Sequence, residues 1–455
     1  METHPAAAAS YRRELGEGLL QRWSTPEDTE NIAQLCGMVF RDREDEPFNI
    51  YAITSVRRHM SGNFPLMGPG DYAVIEDTTK EGNPLVACTC LWRLEWEYEG
   101  IAFGVGQPEF VVTHPDYRNR GLIRKLFEML HARSEAEGHL AQAITGILYF
   151  YRQFGYEYAL ELEGSRVTYL SLIPREQEST PEPYSLRVAT PEDIPQLMEL
   201  YNRQRSASMV WNITSEQFWR YQIIEETDPS LSGKQMCVRM IVDYTGKVQG
   251  YVLLATRRRG KSLHVFALNI AAGVNWQAVV PTLLRLLQTY GMQIPTVGSD
   301  VPPLLEISFS FGSEHPIYEV LGETLAPFYE PPYAWYVRVP DVLSFIRHIA
   351  PVLEKRLANS PGACYTGQFT LDLFRGGIQM VFDKGHITRV EPWRAPVYKN
   401  TADASCPALV FLQLLFGYRS LDELRYAFPD VRVENSNVAV LLNALFPKKF
   451  SWVMG

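Results

Sequence analysis

The sequence has little of what marks several classes of protein. Its 455 residues include six cysteines, and none of them has the paired spacing of a zinc site or a disulfide framework. There is no run of 18 or more apolar residues and no apolar export signal near the N-terminus. The formal net charge is −9, and no block of Lys and Arg is long enough to follow nucleic-acid phosphates. These features predict a cytoplasmic protein with no metal, no membrane span and no nucleic-acid partner.

What the sequence does contain is typical of folded domains. Hydrophobic residues make up 46% of the chain and charged residues 21%. The length predicts several domains, because a single core stops growing at about 250–300 residues. Pro, Ser and Glu concentrate in the linker-like segment IPREQESTPEPYS, residues 173–185. We expect mixed α/β domains over residues 18–172 and 184–340, and an α+β domain over 341–455 with helices packed on a curved sheet.

The first two predicted domains begin alike. LQRWSTPEDTENIAQL and SLRVATPEDIPQLMEL both read as a strand, a Ser or Thr cap and an amphipathic helix. Thr25 and Thr190, which open the two TPED segments, lie about 165 residues apart. This repeat predicts an internal duplication at the scale of a domain.

One motif in the first copy points to chemistry. HPDYRNRGLIRKLFE follows the predicted strand EFVVT and opens a predicted helix. The first N–H groups of a helix have no intrahelical partner and can bind an anion, and Gly121 lets the backbone approach that anion closely. The flanking Arg118 and Arg120 add guanidinium donors suited to phosphate oxygens. The motif therefore predicts a diphosphate cradle, with a basic helix cap and turn glycine as the alternative.

The motif resembles the pyrophosphate-binding element of the GCN5-related N-acetyltransferase (GNAT) superfamily, Arg/Gln-x-x-Gly-x-Gly/Ala. Arg118 and Gly121 match that pattern, whereas Ile123 stands where a small residue is usual. Further along, YRQFGYEYAL matches the family's Tyr-x-x-x-Gly-Tyr/Phe element. The resemblance implies that Tyr151 is the general acid that protonates the departing thiolate; the alternative is an ordinary core aromatic.

The resemblance also implies acetyl-CoA as co-substrate, with no metal. The strand before the cradle would pair with the pantetheine amides, and TGIL, residues 145–148, would lie on the neighbouring strand. The implied cofactor-binding residues are Val111, Val112, Thr113, Arg118, Asn119, Arg120, Gly121, Leu122, Ile123, Gly146 and Ile147.

Two carboxylates are candidates for the base. Glu109 lies on the strand before the cradle with its side chain expected to face the cleft. In the enhanced-intracellular-survival (Eis) type of acetyltransferase, which this chain resembles, the C-terminal carboxylate fills that role, here Gly455. For the acceptor, Glu95 and Glu97 share one strand face with Glu99 and could bind a cationic amine; the alternative is a solvated strand edge.

The Eis-type resemblance covers nearly the whole chain. It implies an active GNAT domain, a degenerate GNAT-like domain and a sterol-carrier-protein-like domain, in a homo-oligomer that the resemblance makes a hexamer. The second copy reads LNIAAGVNWQ in place of the cradle and retains only Tyr318 and Gly322 of the tyrosine-glycine element. The implied activity is acetyl transfer to a primary amine of the aminoglycoside, polyamine or lysine type, by direct attack in a ternary complex. The alternative is a lipid-carrier or interaction protein with a vestigial GNAT domain.

Overall fold

The computed structural model describes residues 4–41, 43–175, 181–227, 235–297, 300–396 and 402–454. The first part of the chain contains strands β1 (Arg12–Gly16), β2 (Leu19–Trp23), β3 (Tyr72–Asp77), β4 (Leu85–Tyr98), β5 (Ile101–Thr113), β6 (Ala141–Ile144), β7 (Glu157–Leu162) and β8 (Ser165–Tyr169). Its α-helices are α1 (Thr29–Val39), α2 (Ile50–His59) and α3 (Leu122–Ala136).

The second part contains β9 (Tyr184–Val188), β10 (Val210–Ile213), β11 (Met236–Asp243), β12 (Val248–Ala255), β13 (Ser262–Ile270), β14 (Glu306–Phe309), β15 (Phe328–Glu330) and β16 (Tyr333–Arg338). Its helices are α4 (Ile194–Tyr201), α5 (Glu216–Thr227), α6 (Trp276–Gln293) and α7 (Pro316–Leu325). The third part contains β17 (Gly367–Asp372), β18 (Gly377–Asp383), β19 (His386–Trp393), β20 (Ala404–Ser405) and β21 (Arg432–Val433), with α8 (Val342–Ala358), α9 (Ala408–Leu415), α10 (Leu421–Ala427) and α11 (Ser436–Leu445).

The first sheet has the strand order β1-β2-β3-β4-β5-β6-β16-β7, with β10 paired to the far end of β4. Its only parallel pairing among these strands joins β5 to β6, at Val105 with Ala141 and Gly106 with Gln142. Beyond that point β5 runs on to Thr113 and β6 to Ile144 without further pairing between them. The two strands therefore diverge toward their carboxyl ends, which leaves an opening in the sheet at the start of α3.

The second sheet repeats this order as β9-β11-β12-β13-β14-β8-β15, again with one parallel pair, β13 with β14. Besides β10, one strand from each part of the chain joins the sheet of the other part. β8 follows β7 in the chain but pairs with β14 and β15, and β16 inserts between β6 and β7. The segments that lead into β8 and β16 are in contact at Gly164. A Cβ built on Gly164 would lie 2.7 Å from Pro332 Cγ. Sheet membership thus departs from the predicted bounds 18–172 and 184–340 by three strands, β8, β10 and β16.

The two TPED segments form the same local structure. Each is a short 3-10 helix with a capping box, Thr25 with Asp28 and Thr190 with Asp193. In each copy the Asp also forms an ion pair with an arginine of the preceding strand. Asp28 lies 2.7 Å from Arg22, and Asp193 lies 2.6 Å from Arg187. The repeat in the sequence therefore corresponds to a repeated structure, the capped turn that connects a strand to the helix after it.

The third sheet, β19-β18-β17-β20-β21, packs with α8 against the far ends of β4 and β5. The rings of Tyr98 and Phe103 lie 6.1 and 5.3 Å from the ring of Phe345 of α8. The Tyr98 hydroxyl also donates to the carbonyl of Leu415 at 2.6 Å. The first and third parts of the chain therefore share one hydrophobic core.

Candidate active site

The segment between β5 and α3 forms an open cradle. A short 3-10 helix, Pro115–Tyr117, ends at Arg118, and Gly121 is the N-cap of α3 with φ of 73°. Asn119 is also left-handed, with φ of 63°. A Cβ built on Gly121 would meet nothing within 4 Å, so the space in front of the first turn of α3 is empty of protein atoms. The helix that this motif was predicted to open is present and begins at Leu122.

A cavity of about 540 Å³ lies in front of this turn. It brings together most of the residues that the sequence predicts for the cofactor: Val111, Thr113, Arg118, Asn119, Arg120, Gly121, Leu122, Ile123 and Ile147. Val39, Phe150 and Phe154 add apolar surface to its walls. Val112 instead points into the buried core beneath α1 and α2. The branched Ile123 is part of the wall, so the cavity forms with this side chain in place.

Two of the arginines that line the cavity lie against aromatic rings. The Arg120 guanidinium lies 4.9 Å from the Tyr117 ring centroid and 3.5 Å from a Glu17 carboxylate oxygen. The Arg124 guanidinium lies 5.1 Å from the Phe154 ring centroid, and its Nη2 donates to Gln153 at 2.8 Å. Both guanidinium groups therefore line the cavity, Arg120 with an exposed ion pair to Glu17 and Arg124 with a hydrogen bond to an uncharged amide.

A β-bulge shapes β5 just before the cradle. The pairing with β4 shifts between Cys90, opposite Glu109, and Cys88, opposite Val112. Phe110 lies at the extra position of the bulge and has a left-handed backbone with φ of 52°. The Thr89 hydroxyl donates to the Glu109 carbonyl at 2.9 Å. A bulge leaves one residue out of the ladder and bends the strand. Val111, directly after the left-handed Phe110, lines the cavity in front of α3.

Glu109 sits at this bulge with its side chain partly buried. Its carboxylate accepts a hydrogen bond from Gln107 Nε2 at 2.6 Å. Burial raises the pKa of Glu109, although the bonds from Gln107 and the Phe110 amide oppose that shift. A carboxylate with a raised pKa is a stronger proton acceptor than an exposed one once it is ionised.

Tyr151 lies in a 3-10 helix, Phe150–Phe154, beyond a turn that follows β6. TGIL was predicted to lie on the strand itself, and this is wrong: β6 ends at Ile144, so Gly146 and Ile147 belong to the turn. Gly146 has φ of 110°, and a Cβ on it would stand 4.0 Å from the Tyr151 hydroxyl oxygen. Burial, with the nearby Glu109 charge, raises the pKa of Tyr151, which therefore keeps its proton at neutral pH.

Three further tyrosines, which the sequence did not indicate, lie beside this turn, and two of them contact its backbone. The hydroxyls of Tyr158, Tyr333 and Tyr336 form a chain with oxygen separations of 2.9 and 2.5 Å. Tyr158 belongs to β7, whereas the other two arrive on β16 from the second part of the chain. A pairing between segments some 175 residues apart has no local signal in a single sequence.

The predicted acidic face of β4 is not a cation site. Glu97 is buried, with only 2% of its side chain exposed, and forms an ion pair with Arg205. Glu99 pairs with Arg356 at 3.1 Å and Lys449 at 2.9 Å, and only Glu95 faces solvent. The strand edge that was expected to be solvated is covered by β10. These carboxylates therefore join the three parts of the chain.

A second cavity, of about 520 Å³, opens between the first and second sheets at the carboxyl end of β7. Glu161, Glu163 and Glu330 line it, as does Tyr333 of the tyrosine chain. Among the residues that the structure describes, its wall contains no lysine or arginine. We call this cavity the acidic cleft.

The C-terminal tail reaches the acidic cleft. The Met209 amide donates to the Phe450 carbonyl at 2.7 Å, and the Trp452 amide donates to the Ser208 hydroxyl at 2.8 Å. Residues 451–454 then form part of the cleft wall. Gly455, the predicted bearer of the alternative base, lies outside the described residues.

The second sheet has a helix at the position that corresponds to α3, but the N-terminus of that helix is not open. There β13 leads into α6, whose N-terminus is capped by the Asn275 side chain at 2.9 Å from the Gln277 amide. A side chain thus occupies a helix end that is open at Gly121 in the first copy. Tyr318 donates to the Phe309 carbonyl at 2.8 Å, and Gly322 marks a kink in α7.

The described ranges contain neither a metal-ligand cluster nor a membrane-spanning helix. Within them, no three His, Cys, Asp or Glu side chains are grouped so as to hold a metal ion. No α-helix in those ranges combines the length and the apolar character needed to cross a bilayer.

Comparison with known proteins identifies the first part of the chain. Residues 21–159 match the family described as Acetyltransferase (GNAT) domain, as the sequence predicted. A conserved Enterococcus faecalis protein, described as a probable N-acyltransferase, superimposes with a TM-score of 0.65 at 14% identity, over 96% of this chain and 99% of that one. A GCN5-related N-acetyltransferase from Kribbella flavida gives 0.62 at 16% identity, over 96% and 98%.

Eis1 from Mycobacterium abscessus gives a TM-score of 0.54 at 14% identity, over 85% of this chain and 91% of that one. No curated protein sequence matches the chain. At these identities the likeness establishes a shared fold, which extends well beyond the GNAT domain itself. The chain is a multidomain mixed α/β protein that carries a GNAT acetyltransferase domain.

Proposed function

We propose that this protein is an acetyl-CoA-dependent N-acetyltransferase that acts on a primary amine by direct attack in a ternary complex. The observation that carries the proposal is the cavity in which the open N-terminal turn of α3 meets the diverging ends of β5 and β6. Such a cavity offers anion-binding amides at one end and unpaired strand backbone at the other.

The residues present fit acetyl-CoA. The first amides of α3 and the guanidinium of Arg118 suit the diphosphate, and the bare Cα of Gly121 allows its close approach. The backbone of Val111 and Thr113 can pair with pantetheine amides, against the apolar wall that Ile147 and Phe150 form. The cofactor supplies an acetyl thioester, whose carbonyl carbon is the electrophile.

The chain's own residues supply proton transfer and alignment. A base removes a proton from the acceptor ammonium, either Glu109 or the C-terminal carboxylate at Gly455. The amine nitrogen then bonds to the carbonyl carbon as the carbon–sulfur bond breaks. Tyr151, which is protonated at neutral pH, gives its proton to the departing thiolate. The second proton that the nitrogen loses as the amide forms passes through solvent and restores the proton on Tyr151. No covalent enzyme intermediate is required, because alignment in the ternary complex lowers the barrier.

We further propose that the acceptor enters through the acidic cleft. Three glutamates in a cavity without neighbouring lysine or arginine on the described wall favour a cation that carries more than one charge. Amino sugars, polyamines and peptides with more than one lysine share that chemistry. The cleft adjoins the tyrosine chain through Tyr333, so an acceptor held there lies beside the catalytic turn.

The remaining parts of the chain have supporting roles in this proposal. Residues 184–340 act as a degenerate second GNAT-like domain, which closes one side of the cleft, and residues 341–455 as a sterol-carrier-like scaffold that delivers the C-terminal tail. The protein works in the cytoplasm as a homo-oligomer, a hexamer by analogy with the Eis type. A lipid carrier with a vestigial GNAT domain is not favoured, because the cavity at the cradle is open and Glu109 lies close enough to Tyr151 for its charge to raise the pKa of that tyrosine.

Release of free CoA thiol from acetyl-CoA, with a panel of aminoglycosides, polyamines and lysine peptides, tests the proposal. We expect amine-dependent release, and a Tyr151→Phe variant should lower kcat by about 100-fold or more because it lacks the proton donor. Tyr426→Phe, at a 94% exposed position on α10, is the matched control and should react like the wild type.

Absence of both thiol release and acetyl-CoA binding in calorimetry would contradict the proposed activity. Undiminished turnover by the Tyr151→Phe variant would contradict the assignment of Tyr151 alone.

A further inference from the structure

The turn that precedes Tyr151, residues 146–149, has a strained backbone. Side chains from other strands contact it. Gly146 and Tyr149 both have left-handed backbones, at φ of 110° and 63°. For a bulky residue such as Tyr149 this conformation is unfavourable and persists only where the surroundings determine it. Ile147 and Tyr149 are 56% and 71% exposed, so burial of their side chains is not what fixes the turn.

Two tyrosine hydroxyls contact the backbone of this turn. The Tyr149 amide donates to the Tyr158 hydroxyl oxygen at 3.1 Å. The Tyr336 hydroxyl oxygen lies 3.3 Å from the Ile147 carbonyl oxygen and 2.5 Å from the Tyr158 hydroxyl oxygen. The single proton of Tyr336 can serve only one of those two acceptors at a time. The hydroxyl of Tyr333, 2.9 Å from that of Tyr158, extends the chain of bonds toward the acidic cleft.

The same side chains also contact Tyr151 and one another through their rings. The Tyr336 ring packs edge-on against the Tyr151 ring with centroids 5.4 Å apart. The rings of Tyr158 and Tyr336 lie 4.2 Å apart. Tyr336 thus contacts the turn through its hydroxyl and the proposed acid through its ring.

These contacts depend on the exchanged strand. β16 inserts between β6 and β7 in a register that sets Tyr336 opposite Ile144 on one side and Tyr158 on the other. Ile144 is the last residue of β6, directly before the strained turn. The second part of the chain therefore provides a hydroxyl at the point where the catalytic turn leaves the sheet.

We propose that Tyr158 and Tyr336 are positioning residues that hold the 146–149 turn so that the Tyr151 hydroxyl meets the departing thiolate. This inference rests on the proposed function, since it assumes that Tyr151 is the acid. It assigns to the second part of the chain a direct part in the reaction geometry.

Removal of either hydroxyl should affect the chemical step more than cofactor binding. Tyr158→Phe and Tyr336→Phe keep the ring packing and delete only the oxygen that contacts the turn. Small misplacements of a catalytic group lower rates by up to about 100-fold, so we expect kcat to fall by about 10- to 100-fold. The KM for acetyl-CoA should change little, because the diphosphate cradle is formed by α3.

The experiment compares the wild-type chain with Tyr158→Phe, Tyr336→Phe and the control Tyr244→Phe. Tyr244 is 89% exposed in the turn between β11 and β12. Steady-state kinetics with acetyl-CoA gives kcat and KM, and hydrogen–deuterium exchange of the peptide covering residues 146–151 reports on the turn without substrate. We expect faster exchange in this peptide and lower kcat in both test variants, and neither change in the control.

Wild-type kcat in both test variants, or exchange equal to that of the wild type, would overturn the positioning role. The exchange measurement needs no turnover and decides this even for an inactive protein. Failure of the wild-type chain to bind acetyl-CoA would contradict the proposed function instead. A rise in KM with kcat unchanged would show that the hydroxyls serve cofactor binding, and would also overturn the inference.

Discussion

Gly121 provides a sharp test of the cradle, because the chain contains a matched control for it. Gly121 has φ of 73° and Gly246, in the turn between β11 and β12, has φ of 84°. A Cβ would meet no protein atom within 4 Å at either position. Ala at either site therefore carries the same backbone penalty, about 1–2 kcal/mol for a left-handed residue other than glycine, and no steric clash within the protein.

The two variants should differ only in their affinity for acetyl-CoA. At Gly121 the new methyl group would stand in front of the first turn of α3, where the diphosphate is proposed to lie. Displacing one amide-to-phosphate hydrogen bond removes about 1.5–3 kcal/mol, since one partner is charged. That loss corresponds to about a 10- to 150-fold higher Kd.

Calorimetric titration with acetyl-CoA and thermal unfolding of Gly121→Ala and Gly246→Ala measure both quantities. Gly246→Ala should bind like the wild type and unfold at a temperature similar to that of Gly121→Ala. Equal affinity in the two variants would refute the reasoning that the space beside Gly121 holds the diphosphate.

Three further predictions follow from the site. Arg118→Gln should weaken acetyl-CoA binding. The difference in Kd between this variant and the wild type should become smaller at higher salt concentration, and calorimetric titrations at two ionic strengths measure it. If Glu109 is the base it must be ionised, so kcat/KM should fall as pH drops through a pKa above the ordinary 4.5, and Glu109→Gln should lose that limb of the profile. Retention of both the rate and the limb would favour the C-terminal carboxylate. Glu330→Gln should raise the KM of a polyamine more than that of a monoamine; equal effects would contradict a polycation site in the acidic cleft.

The parts of the site that are continuous in the sequence were predictable. The strand end, the glycine and the amphipathic helix of residues 109–136 follow one another, so local patterns placed Gly121 at the start of α3. The resemblance of YRQFGY to the GNAT tyrosine-glycine element likewise singled out Tyr151. Local rules did not place the turn after β6, because a short strand end carries no distinct signal.

What the sequence did not show depends on distant pairing. Tyr336 meets Tyr158 only because β8 and β16 change sheets, and no periodicity in either strand encodes that exchange. Glu97 looked like one of a row of exposed charges, yet Arg205 of the second part neutralises it and β10 covers it. Alternation along a strand identifies which residues share a face, but not what covers that face.

A crystal structure of the wild-type chain with acetyl-CoA bound tests the central claim most directly. The account predicts the diphosphate on the amides of residues 119–123 and the thioester between the β5 bulge at Glu109 and the hydroxyl of Tyr151. A diphosphate bound elsewhere, or a thioester sulfur beyond hydrogen-bonding reach of Tyr151, would contradict it.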